Sequence, residues 1–465
     1  MKSHKWIIAA ASALCIAISL PLSALAQGPG GNPPSGGPGG GPGGPGGGPG
    51  GPGGGSGGSA SDVTYTAATE ITSAASLEDG VYLSDSADEN AILVDTDEEV
   101  TLTNPNVTKA GDSDRGDSCN FYGLNAAVLA KGGTTLTISG GTITSDASGA
   151  NGVFSYGGNG GQNGAAGDGT TVNISDTVIT TSGDGSGGIM TTGGGITNAS
   201  NLTVTTSGRS SAAIRTDRGG GTVNVDGGTY TSNGLGSPAI YSTAAITVQN
   251  VTLVSNLSEG VCIEGMNTIT LTDCDLTANN TQCNGNATFL DTIMIYQSMS
   301  GDADSGTSAF TMTGGSLTSK SGHVFHVTNT HAVITLNGVQ IVNEDSDKVL
   351  LSVCDDGWNG AENNAELYAN AQSLSGTILV GSNSKLTLTL SDGSAFTGSI
   401  SGEITNSKGT AISSEVGTVN VTLDETSTWT LTADTYITGF EGNAEQIISN
   451  GYTLYVNGVA LTGTK

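Results

Sequence analysis

The sequence predicts an all-β solenoid, a chain wound into stacked coils of short parallel strands, and three observations carry that expectation. The first is alternation. In Gly221-Thr-Val-Asn-Val-Asp-Gly-Gly-Thr-Tyr-Thr-Ser-Asn233, apolar residues alternate with Thr, Asn and Asp on both sides of a Gly-Gly hinge. A period of two puts the apolar side chains on one strand face and the polar ones on the other. The second is recurrence, for the same unit returns at 134–145, 172–180, 246–253, 269–277, 310–318 and 334–341. The third is spacing. A small residue followed by an apolar one marks a third strand ahead of each unit, and Val128, Val153, Ile189, Ile214, Ile240 and Val261 lie 25, 36, 25, 26 and 21 residues apart. Later markers at Ile293, Val324 and Val349 add 32, 31 and 25. Repeats of this length, with insertions at one corner, belong to stacked coils that bury together a core none could bury alone.

Helix has little place in this chain beyond its first two dozen residues. No long run carries apolar residues at i, i+3, i+4 and i+7, and Gly, Thr, Ser and Asn crowd the body, residues that disfavour helix interiors. With this coil grammar, the chain resembles the pectin-lyase-like class of right-handed parallel β-helix proteins over most of residues 75–465. The resemblance implies right-handed coiling and strands about 4.8 Å apart, with interior ladders of stacked apolar side chains.

Taken in order, residues 1–26 read as an export signal. Lys2 and Lys5 precede an apolar run from Trp6 to Leu20, and Ala24-Leu-Ala26 offers a small-x-small cleavage site before Gln27. Residues 27–61 read as a disordered tether: Gly28 to Gly58 holds 20 Gly and 8 Pro in 31 residues without a strict three-residue period, which rules out collagen. Residues 62–123 are expected to form an N-terminal cap and the first coils, 124–372 the regular coils, and 373–465 the C-terminal coils and cap. The last segment keeps the alternation, as in Lys385-Leu-Thr-Leu-Thr-Leu390, with fewer Gly-Gly hinges. Its stretch Val419–Thr432 is similar to the C-terminal coils of bacterial β-helix surface proteins, a resemblance that implies an adhesin-like role.

Charge narrows the function. Lys and Arg number 13 against 42 Asp and Glu, a net charge of −29, and a nucleic-acid partner needs the opposite sign. An acidic surface favours solubility and cations instead. The mature chain is expected to hold no membrane span. Five Cys follow the signal, too many by one to pair within the chain; Cys262 and Cys354 lie in strand-like runs as small buried residues, and Cys274 and Cys283 are left able to pair. Without Cys-x-x-Cys or His-x-x-x-His spacing, no structural zinc site is expected.

Two constellations are candidates for chemistry. In the lyases of this resemblance an Arg serves as base beside a carboxylate cluster holding calcium, and the Arg cluster of this chain is Arg209, Arg215 and Arg218 with Asp217. Aligning Ile189, Ile214 and Ile240 puts Arg215 beside Met190 and Tyr241, with no carboxylate on either adjacent coil. Glu264 falls in the Asp217 column one coil further, about 9 to 10 Å away. Arg215, Asp217, Arg218 and Glu264 are therefore the catalytic candidates. Calcium candidates are the acidic loops with Asp302 and Asp304, and with Asp112, Asp114 and Asp117, whose carboxylates suit a hard cation. His323 and His326 are read as facing opposite sides of a strand, and both as structural. Thr-x-Thr pairs such as Thr135/Thr137 and Thr203/Thr205 suggest a hydroxyl array, interrupted at Asn173, Asp226 and Gln249.

Three functions follow as expectations. The leading one is a secreted, adhesin-like bacterial surface protein that binds extracellular polysaccharide or another surface without catalysis. The others are a lyase or glycoside hydrolase acting on acidic polysaccharide, and a purely structural stalk.

Overall fold

The computed structural model describes residues 63–159, 166–356 and 363–465; the export signal and the tether expected over 1–61 lie outside the described residues. The chain is a parallel β-helix. Each coil as far as residue 401 gives one strand to a 13-stranded sheet, running from Ala67–Ile71 to Ile400–Ser401, and most coils give two to a 22-stranded sheet. A typical coil is Val128–Lys131, Thr135–Ser139 and Thr142–Ser145. Among the described residues the exceptions to parallel pairing are two short antiparallel pairs, Glu403–Thr405 with Ala411–Ser414 and Leu454–Val456 with Val459–Ala460.

Alternation sets the inside. Leu136, Ile138 and Ile143 point into the coil with no exposure, and the same positions in successive coils join one core from Ile71 to Leu454. Between the second and third strands of a coil the backbone turns through a left-handed residue. Asn104, Asp176, Asn201, Asn250, Asp273 and Asp392 have φ of 50, 53, 52, 57, 49 and 55° there, and Asn and Asp tolerate that region because their short side chains bond locally.

The register marks hold from Val128 to Ile293. Beyond that they slip: Ile293 pairs with Phe325 and Phe325 with Leu351, one and two residues past the expected Val324 and Val349. Val324 and Phe325 are both fully buried, so a small-then-apolar rule cannot choose between them, and a bulge follows Val349. The same departure overturns the expected separation of His323 and His326. Each Nδ1 lies 2.7 Å from the Ser352 hydroxyl, since alternation does not hold where the strand begins. The Thr array also divides. Thr108, Thr144, Thr180, Thr205 and Thr231 stack on one strip of the larger sheet, while Asn173, Asp226 and Gln249 belong to the other.

The outer face of the 13-stranded sheet is covered rather than open. A short helix, Gly116–Tyr122, packs Phe121 and Tyr122 onto Leu93, Leu129, Phe154 and Met190. Further along, Tyr241, Cys262, Met294 and Tyr296 form a second outer cluster, and Phe289, Leu379 and Ile404 a third. The five cysteines are free, with Cys283 alone partly exposed.

Candidate functional site

Among the places on this scaffold that gather polar side chains, two hold the sequence candidates or an open hollow: a largely buried network outside the 13-stranded sheet and a trough on the larger one. The network contains all four catalytic candidates. Arg215 and Asp217 lie two residues apart at the end of one short strand, hence on one face, and Arg215 donates to Asp217 at 2.7 Å. The same guanidinium donates to Asn120 Oδ1 and to the Ser210 carbonyl at 3.2 and 3.1 Å, and it sits 5.8 Å from the Tyr241 ring centre. Asp217 takes the Arg218 amide on its other oxygen. Burial pushes its carboxyl up to about 6, against the opposing pull of Arg215.

Arg218 turns outward, stacks 4.1 Å from the Phe121 ring centre and grips Asp302 through two nitrogens at 3.0 and 2.6 Å. Glu264 continues the Asp217 column by the register Ser242 to Ile263. It accepts from the Tyr241 and Tyr296 hydroxyls and from Ser298 and Ser300. Asp302, Ser298 and Ser300 all belong to the strap 297–306, so the network fastens that strap over the sheet. The cavity beside Arg215 and Tyr241 holds about 10 Å³, hardly the room of one water. Both guanidinium groups are committed to carboxylates.

The calcium candidates are not gathered. Asp302 is the partner of Arg218, Asp112 accepts the Ser148 amide at 2.7 Å, and Asp117, raised by burial, faces Arg218 and Asp302. Among the described residues no group of three or more His, Cys, Asp or Glu is arranged to hold a metal ion.

The trough was missed as a site by the sequence reading, although its residues were singled out there as interruptions of the Thr pattern. It is a hollow of about 440 Å³ crossing five coils. Thr137, Asn173, Asn198, Asn224 and Thr247 are consecutive partners in one column, and Ser175, Ser200, Asp226 and Gln249 form the column beside it. Asn224 donates to Asn198 and Asn198 to Asn173, each at 2.9 Å. Each amide keeps a second N–H and a second lone pair for an outside partner. A larger hollow, about 870 Å³, lies among residues 423–428 and 442–446, where the Gln446 amide is already spent on the Asp424 and Ser427 carbonyls.

Fold and site together define a parallel β-helix protein with a trough along one face, set with outward hydroxyl and amide side chains, and an Arg–carboxylate network on another. Compared with family models, curated proteins and solved structures, the chain matches none.

Proposed function

We propose that this chain is an exported, adhesin-like surface protein that holds an extended extracellular polysaccharide along the trough without cleaving it. The observation that carries this reading is the trough: five coils present outward hydroxyls and amides in register, a surface that meets sugar hydroxyls at repeated points. Export rests on residues 1–26 of the sequence, and the likeness to pectin-lyase-like proteins on architecture. The lyase alternative has the right residue types, but its Arg pair is bound to Asp217 and Asp302 beneath a strap. Among the described residues no helix is long and apolar enough to cross a membrane.

The test is an array of plant, microbial and host polysaccharides incubated with the protein, with and without calcium, and scored for retention and for new reducing or unsaturated ends. Retention without new ends is expected. New ends that disappear in a folded Arg218→Ala variant make the protein an enzyme instead.

A further inference from the structure

We propose that the trough selects uncharged, hydroxyl-rich polysaccharide over uronate-bearing or cationic chains, an inference that rests on the glycan-binding reading above. The trough's outward groups are hydroxyls and primary amides, with one exception, Asp226. No Lys or Arg lines it, in a chain that has only 13 against 42 acidic residues. A uronate entering it meets no cation to replace the water it leaves behind.

The amide column sharpens the selection. Because Asn224 donates to Asn198 and Asn198 to Asn173, each outward amide offers a donor and an acceptor together. A sugar hydroxyl both donates and accepts, so it satisfies the pair. A carboxylate only accepts, so it leaves the amide oxygens facing its own. Asp226 adds repulsion, for the amides of Asn250 and Gln249 hold its carboxyl below the usual range and keep it ionised. That engagement also blunts Asp226 as a grip for a cationic chain, which would find one exposed carboxylate and no second one in the trough.

Five coils of contacts at about 4.8 Å span roughly 19 Å along the coil axis, and no aromatic platform lines the trough. Binding therefore draws on many weak hydrogen bonds, with aliphatic contact from the lining between them. It should strengthen with chain length until the trough is filled and depend little on salt.

The experiment is affinity electrophoresis of the full chain through gels carrying galactomannan or mixed-linkage β-glucan, polygalacturonate, or chitosan. Wild type is compared with Asn198→Asp and Thr247→Asp; Thr247 is exposed, so a charge there leaves the core untouched. The expected result is retardation by the neutral gels, insensitive to added salt and weakened about tenfold by either substitution, the scale of one lost contact plus a newly desolvated charge. Retardation by polygalacturonate or chitosan that exceeds the neutral gels, and that either substitution alters, overturns the uncharged class while glycan binding stands. Neutral retardation unchanged in both variants, with wild-type circular dichroism, removes the trough as its seat. No retardation in any gel sinks the glycan-binding reading itself.

Discussion

At the scale of single residues, the outer network carries charge at positions largely removed from solvent. Arg215 and Asp217 have side-chain exposures of 6% and 5%, and removing one partner strands the other. Arg215→Met should cost about 3–5 kcal/mol, whereas Arg215→Met with Asp217→Leu should recover most of that loss; urea melts of the single and double variants measure both. Asp291 is a different case, a fully buried carboxyl with no hydrogen-bond partner on either oxygen. Burial, then Glu259 and Asp356, push it well above the ordinary carboxylate range, so the folded chain keeps a proton that the unfolded chain gives up near pH 4. A raised folded value means that Asp291's contribution is fully present below the unfolded value and is lost as pH rises toward the folded one. Asp291→Asn, a neutral mimic of the acid, should match wild type near pH 4. Above that it should gain on wild type by up to about 1.4 kcal/mol per pH unit. Equal pH profiles for the two proteins would sink this account. The Arg215–Asp217 contact was legible in the sequence because i and i+2 share a strand face. The grip of Arg218 on Asp302, 84 residues away, was not, because the strap is an insertion outside the repeat.

At the scale of the element, what recurs is the bend between the second and third strands of a coil. Twelve coils place a left-handed residue there, and eleven use Gly, Asn or Asp; the twelfth is Ala371, with φ of 48°. Alanine pays a steric cost in that region that Asn largely escapes. Ala371→Asn should therefore stabilise by about 1 kcal/mol, read as a shift in the denaturant midpoint at unchanged slope. Gly315→Ala makes the opposite case one residue past its own bend. Its φ is 66°, and a Cβ would come within 2.0 Å of the Cys274 carbonyl, so a loss of more than about 1 kcal/mol is expected. The strands and these bends could be read from alternation and from Gly, Asn and Asp. The trough could not, because Asn173, Asn198 and Asn224 stand 25 and 26 residues apart in one column, and alternation alone does not tell an outward column that lines a hollow from one on a flat face.

At the scale of the molecule, the strands of a coil pair only with those of its neighbours, and the outer helix and strap tie together coils further apart, so that away from those ties stability is a sum along the axis rather than a property of one centre. Trp429 reports on one end: it is fully buried, stacks on Phe396 with ring centres 5.5 Å apart and donates to the Gly398 carbonyl. The chain has two other tryptophans, Trp6 and Trp358, and replacing both by Phe leaves its fluorescence as the signal. In that background Leu388→Ala, a fully buried core position on a coil paired with 418–423, should cost about 2–5 kcal/mol and move the Trp429 transition to lower urea. Ile138→Ala, equally buried some ten coils away, should remove a similar amount yet leave the Trp429 transition where it was. Its loss should appear in the far-ultraviolet circular dichroism as an earlier phase. Coincident transitions by both probes in both variants would mean that the solenoid melts as one cooperative unit, so that a substitution under the trough would be felt at Trp429 as strongly as one beside it.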